Sequence, residues 1–352
     1  MLLLSAAPFA ALGQAREFDV RIARPDAELV LAGTLSLPGG DGPHPAALLL
    51  TGSGGHTRDQ VISGFPMFQE LARVLTEQGI AVLRVDDRGT GESTGPGARE
   101  STTLEHSYDA EAAWHLLADR PEIDARRVGL LGHSEGTLTA ALLAGRVPEV
   151  AFTVLLSPFA IPGADLWVRQ QGDILRREGE MDAEQIARIE SALKAMVEHI
   201  GTGGNTDEGF YRTGREACIA WGDPPEEVTP EFVTEAFGDL RQRWYEYFFS
   251  SDPAAAFGKL KVPTLAIFGT ADVQVPVETN APLLLGSLLA AGNDDFEIVV
   301  LPEEDHFFMT GDGLAPNEHR SGKMRFSDAM LRRLEGWIGD RLIGLTALSA
   351  RP

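Results

Sequence analysis

With a single cysteine, Cys218, in 352 residues, the chain can form no internal disulfide and no cysteine-based metal cluster; the residue reads as a buried filler, not a nucleophile. Positive charge is scarce as well: 30 Lys and Arg stand against 52 Asp and Glu, a net charge of −22 with a pI near 4.7. A surface that acidic repels phosphate backbones, which argues against a nucleic-acid partner. No apolar run approaches the ~18 residues of a membrane-spanning helix, so no integral span is expected. His56, His106 and His115 show neither H-x-H nor H-E-x-x-H spacing and read as surface or helix residues; no metal is expected. Gly89, Gly91 and Gly95 lack the spacing of a dinucleotide fingerprint, and no other cofactor signature stands in the chain.

What is present is the composition of a globular protein, 43% apolar and 23% charged, long enough for one large domain with an insertion. Leu2 to Leu12 is mostly apolar and precedes Gly13-Gln14-Ala15, a small-x-small pattern that fits signal-peptidase cleavage after Ala15. A basic n-region is missing, since Arg16 is the first charge. Residues 1–15 are therefore expected to be a signal peptide of a periplasmic or secreted protein, the alternative being an apolar arm on a cytoplasmic one. The segment around Pro25-Asp26 alternates like an antiparallel hairpin. Beyond it, PAALLLTG, GIAVLRVDD, RVGLLGHS, VAFTVLLSP, VPTLAIFGTAD and FEIVVLPEED are short continuous apolar runs, as strands buried on both faces require.

Between these runs lie helical patterns at Pro66–Gln78, Leu104–Asp119, Glu135–Gly145 and about Arg325–Leu342. Strand and helix thus alternate, which predicts an α/β fold with an open, doubly wound, mostly parallel sheet. The core is expected from residues 16–159 and 260–352. Residues 160–259 hold no strand-like run and predict a helical cap. One cap helix starts from an Asp182/Gln185 capping box and buries Ile186, Ile189, Leu193, Val197 and Ile200. A second starts at Thr229-Pro230 and carries Val233, Phe237, Leu240, Trp244 and Phe248 on one face.

Gly132-His133-Ser134-Glu135-Gly136 fits G-x-S-x-G between a buried strand and an Ala/Leu-rich helix, the setting of a nucleophile elbow. A serine there needs a base and an orienting carboxylate from elsewhere in the chain. His306, four residues past the strand-closing Pro302, fits a base held at the strand ends; His319 lies farther out in polar loop sequence. Asp272, just past the apolar run ending at Phe268, supplies the acid. The glycine-rich stretch LLLTGSGGHTRDQ makes the Ser53 N–H one candidate oxyanion donor, and the Glu135 N–H the other. Arg58 and Asp59 in that stretch read as a structural ion pair.

Taken together, these residues resemble the α/β-hydrolase superfamily, over about residues 18 to 345. VDDRGTGEST looks like that family's D-x-R-G-x-G-x-S loop, Asp86 through Ser93, whose role there is structural. TGSGGHTRD, LLGHSEG and DPAAAFGKLKVPTLAIFGTAD look most like the bacterial, serine-aminopeptidase-like branch of capped esterases. The resemblance implies a Ser134–Asp272–His306 hydrolase of small-molecule acyl substrates. Carboxylic-ester hydrolysis is the leading expectation. Thioesterase, lactonase and peptidase activities use the same machinery and stay open, as does a non-catalytic binding role; an aspartate nucleophile is excluded at the elbow.

Overall fold

In the computed structural model, residues 15–203, 206–311, 317–318 and 324–343 are described; almost all of the expected signal segment, and His319, lie outside them. Arg16–Arg24 (β1) and Leu29–Leu37 (β2) form the expected antiparallel hairpin around a 3-10 turn at Pro25–Ala27. The apolar runs become His44–Leu50 (β3), Ala81–Val85 (β4), Ile123–His133 (β5), Thr153–Leu156 (β6), Thr264–Gly269 (β7) and Phe296–Leu301 (β8). They assemble with the hairpin into one eight-stranded sheet in the order β1-β2-β4-β3-β5-β6-β7-β8. From β4 across to β8 every neighbouring pair is parallel, and β2 joins β4 antiparallel.

Side chains alternate between two apolar layers with a period of two, as a pleated strand demands. Along β3, Ala46, Leu48 and Leu50 face one layer while Ala47 and Leu49 face the other. Met67–Glu77 (α1) and Asp328–Ile338 (α11) cover the second layer. Thr103–Ala118 (α2), Glu135–Ala144 (α3) and Val277–Ala290 (α10) cover the first. β3, β6 and β7 are buried on both faces, which explains why they read as unbroken apolar runs, whereas β8 at the sheet edge leaves Val300 exposed.

The last helix begins later than its sequence pattern suggests. Met324–Phe326 is a strand paired with Met309–Gly311, and Ser327 then caps α11 with bonds from the Ala329 and Met330 amides. Residues 163–250 contain Gly163–Glu178 (α4), Ala183–Gly201 (α5), Asp207–Trp221 (α6), Pro230–Phe237 (α7) and Arg243–Ser250 (α8). The sequence had signposted two helices here, and neither α4 nor α6 was among them. On α5, Ile186, Ile189, Leu193, Val197 and Ile200 are all buried. Asp182 caps it through the Gln185 N–H at 2.8 Å, but among the described residues the Gln185 side chain does not return the bond. The expected single helix from Thr229 to Phe248 is in fact α7, a 3-10 turn at Gly238–Arg241 and α8. Gly238, the residue at the break, is a poor helix former. Pro253–Phe257 (α9) packs back on α3 and α10. The buried side chains of α4 to α8 form one continuous cluster with the first layer of the sheet.

Candidate active site

Parallel strands end at the same edge, so the loops after β3, β5, β7 and β8 meet there. Ser134 follows β5 and precedes α3 with φ 52° and ψ −120°, a conformation that costs energy for any residue with a Cβ. The turn is held tightly. The Ser134 N–H donates to Leu156 O at 2.9 Å, and a Cβ at Gly132 or Gly136 would collide with Gly136 O or Leu50 O respectively. Glu135 is the first residue of α3, so its N–H has no acceptor within the helix.

Asp272 and His306 come together from loops 34 residues apart. Asp272 Oδ1 accepts the Gln274 and Val275 N–H groups, each at 2.8 Å, and Oδ2 pairs with His306 Nδ1 at 2.8 Å. A carboxylate accepts, so Nδ1 carries the proton and Nε2 is left as the basic nitrogen. Burial pushes the Asp272 carboxyl up, but the His306 imidazole and the two amides outweigh it and hold it below the usual carboxylate range. Ser134 Oγ and His306 are not hydrogen-bonded to each other among the described residues.

A chain of polar groups, none of them apparent in sequence, connects the elbow to the loops on either side. The Gly52 N–H donates to Gln60 Oε1 at 2.9 Å, and Gln60 Nε2 donates to His133 Nδ1 at 3.0 Å. His133 Nε2 donates to His306 O at 2.9 Å, and the Ser157 hydroxyl joins that carbonyl at 3.1 Å. Thus the residue before Ser134 carries the His306 backbone on one nitrogen and the glycine-rich loop on the other. Burial, then the neighbouring His306, depresses the His133 pKa to about 3, so this ring is neutral at working pH. Gln60 is buried at φ 41°, a strained conformation retained where packing and bonding over-determine it.

The loop bearing Ser53 is pinned from below by Asp87. Its carboxyl oxygens accept the Thr51 hydroxyl at 2.7 Å and the His56 N–H at 2.8 Å, bracketing Ser53. Burial raises Asp87 to about 7 against those two bonds. Next to it, the expected Arg58–Asp59 pair does not exist. Arg58 turns to Asp86, with Nη2 to Oδ2 at 2.7 Å and its own amide to Oδ1 at 2.7 Å, and Asp59 pairs with Arg84. Adjacent loop residues point apart, and each finds a partner on the strand or loop it faces. Cys218 is buried and unpaired on α6; His106 and His115 lie on α2, and His56 lies in the glycine-rich loop.

Ser53 and Ser134 share a cavity of about 250 Å³ whose walls include Phe159, Trp244, Tyr245 and Phe248. Trp244 and Phe248 stack at 4.9 Å with an interplanar angle of 9°. The Trp244 indole N–H also reaches both Glu135 carboxylate oxygens, at 2.9 and 3.0 Å, where the Thr103 hydroxyl donates at 2.6 Å. α8 is therefore bonded to the residue that follows Ser134.

Comparison with known proteins bears on the family and the fold. Residues 62–188 match the family described as serine aminopeptidase, S33, a span that includes Ser134 and ends before Asp272. Esterase EstD of Thermotoga maritima is 29% identical over 310 residues, 88% of this chain; the match spans 65% of EstD's own length. Among solved structures, the α/β hydrolase GrgF from Penicillium sp. sh18 superimposes with a TM-score of 0.54 at 15% identity, covering 93% of this chain and 99% of that one. Est1E from Butyrivibrio proteoclasticus, solved with ferulic acid bound, does so with a TM-score of 0.52 at 16% identity and the same coverage. At such identities the structural likeness is one of fold.

Proposed function

We propose that this chain, which has the fold of the α/β hydrolases and matches the serine aminopeptidase, S33 family over residues 62–188, is a serine hydrolase that cleaves carboxylic esters through an acyl-enzyme. The observation that carries the reading is the buried Asp272–His306 pair at the strand edge that also carries the strained Ser134. Ser134 Oγ attacks the acyl carbon while His306 Nε2 takes the hydroxyl proton, and Asp272 keeps the imidazole in that tautomer. The bond between Ser134 and the base forms as substrate closes the gap, since such bonds tighten in the Michaelis complex. The Ser53 and Glu135 N–H groups receive the negative oxygen of the tetrahedral adduct. His306 returns the proton to the leaving alcohol, and water repeats the sequence to free the acid. Short to medium acyl chains suit a cavity walled by Trp244 and Phe248, and the helices of residues 163–250 act as its lid.

A thioester would pass through the same steps. An aminopeptidase is a weaker reading, because holding a free amino terminus calls for an acidic side chain. Among the described residues lining the cavity there is none. Ser134→Ala tests the proposal: hydrolysis of simple aryl esters and covalent labelling by fluorophosphonates should both vanish, leaving at most a residue of turnover from binding and oxyanion contacts. Near-normal turnover by the folded variant sinks it.

A further inference from the structure

The cavity at Ser134 contains one residue charged at neutral pH among its described lining residues, and that charge is positive: Arg99. Arg99 is solvent-exposed where it lines that cavity, in a chain of net charge −22. Other arginines of the chain have carboxylate partners. Arg243 pairs with Glu105 at 3.1 Å, Arg146 with Glu111 at 2.9 Å, and Arg88 with Asp109 at 2.6 Å. Among the described residues Arg99 has no ion pair and no hydrogen bond; its guanidinium carbon lies over the rings of Trp244 and Tyr245, 5.0 and 4.6 Å from their centroids. Cation–π contacts of that kind hold a guanidinium in place without hydrogen-bonding its N–H donors.

The turn that presents Arg99 is itself anchored. Ala98–Glu100 is a 3-10 turn whose Glu100 carbonyl accepts Arg243 Nη1 at 2.9 Å, so the turn is tied to α8, and the Ser101 hydroxyl closes back on Gly97 O at 3.0 Å. A pre-oriented planar fork with free donors fits a carboxylate two-pronged. The acidic surface opposes anions only at a distance: at physiological salt its field is screened within about 8 Å, while a group in the cavity meets Arg99 directly.

We infer that the substrate is an ester carrying a carboxylate, and that Arg99 binds that carboxylate while Ser134 attacks the ester carbonyl. This rests on the serine-esterase reading above and narrows it to one class, half-esters of dicarboxylic acids or esters of hydroxy acids. The reaction remains ordinary ester hydrolysis, with the remote carboxylate unchanged.

The test compares uncharged and charged esters of equal length on the whole chain. Monoethyl adipate against ethyl hexanoate places the carboxylate on the acyl side; 4-acetoxybutanoate against butyl acetate places it on the alcohol side. One of these pairs should show a kcat/KM ratio above ~10 in favour of the anion, and the pair that does so tells which side Arg99 serves. In Arg99→Gln that ratio should fall to about one or below, and Arg99→Lys should recover part of it. A purely structural arginine would depress both members of a pair alike and leave the ratio unchanged, which overturns the inference. So does a wild-type ratio near one in both pairs. If no ester is cleaved, the esterase reading fails by itself. Calorimetric binding of adipic acid monoamide to the Ser134→Ala protein, lost in Ser134→Ala/Arg99→Gln, then decides the carboxylate site independently.

Discussion

At the scale of the residue, the site is governed by two buried titratable side chains with opposite effects on stability. His133 has a folded pKa of about 3 against an ordinary 6.5, so the unfolded chain takes up its proton first. Stability due to neutral His133 is complete above pH ~6.5 and is lost as pH falls toward 3, by about 1.4 kcal/mol per unit. Asp87 is the reverse: its folded pKa of about 7 lies above the ordinary 3.8. Its contribution is complete at low pH and is lost as pH rises toward 7. His133→Asn should therefore gain on wild type as pH falls, by about 2 kcal/mol between pH 6.5 and 5, whatever its fixed cost in packing. Asp87→Asn should gain as pH rises from 4 to 7. Denaturant titrations at several pH values read both slopes, and variants that merely shift the wild-type curve by a constant would refute the assignment.

At the scale of the element, α8 has two duties that one residue joins. Trp244 walls the cavity and also donates its indole N–H to the buried Glu135 carboxylate. Trp244→Ala removes an apolar wall and should depress kcat/KM for medium-chain esters by about 1–3 kcal/mol more than for acetate esters. Trp244→Phe keeps an aromatic wall and loses only the hydrogen bond to a charged group. Its expected cost is about 1.5–3 kcal/mol in stability, with the chain-length profile close to wild type. Thermal melts and an ester series on both variants separate the two duties. Equal loss at every chain length in Trp244→Ala would make the residue an anchor alone.

At the scale of the molecule, residues 163–250 share one apolar cluster with the sheet, running from Val20 and Leu35 to Leu193 and Phe248. Helices that bury their faces against the core have no separate core to keep them folded. Calorimetry should accordingly show a single unfolding transition, with van't Hoff and calorimetric enthalpies in agreement. Two resolved transitions would mean that the helical insertion folds as its own unit.

Much of this architecture is written in local chemistry. Apolar runs of strand length with turn residues between them decide a parallel sheet, because a strand dry on both faces cannot alternate. Gly132, Ser134 and Gly136 identify the elbow, since only that spacing relieves a strand-to-helix turn this tight. Chain order and strand ends were enough to pair Asp272 with His306. What the chain could not reveal were contacts between segments with no periodic relation. Gln60 meets His133 across 73 positions, Trp244 meets Glu135 across 109, and Arg58 leaves Asp59 for Asp86. The break at Gly238 in what looked like one helix is of the same kind, because apolar spacing continues through it. Spacing along a chain records which face a residue buries; which partner that face meets is decided only when the strand edge gathers its loops, and hydrogen bonds between them depend on distances that no local pattern encodes.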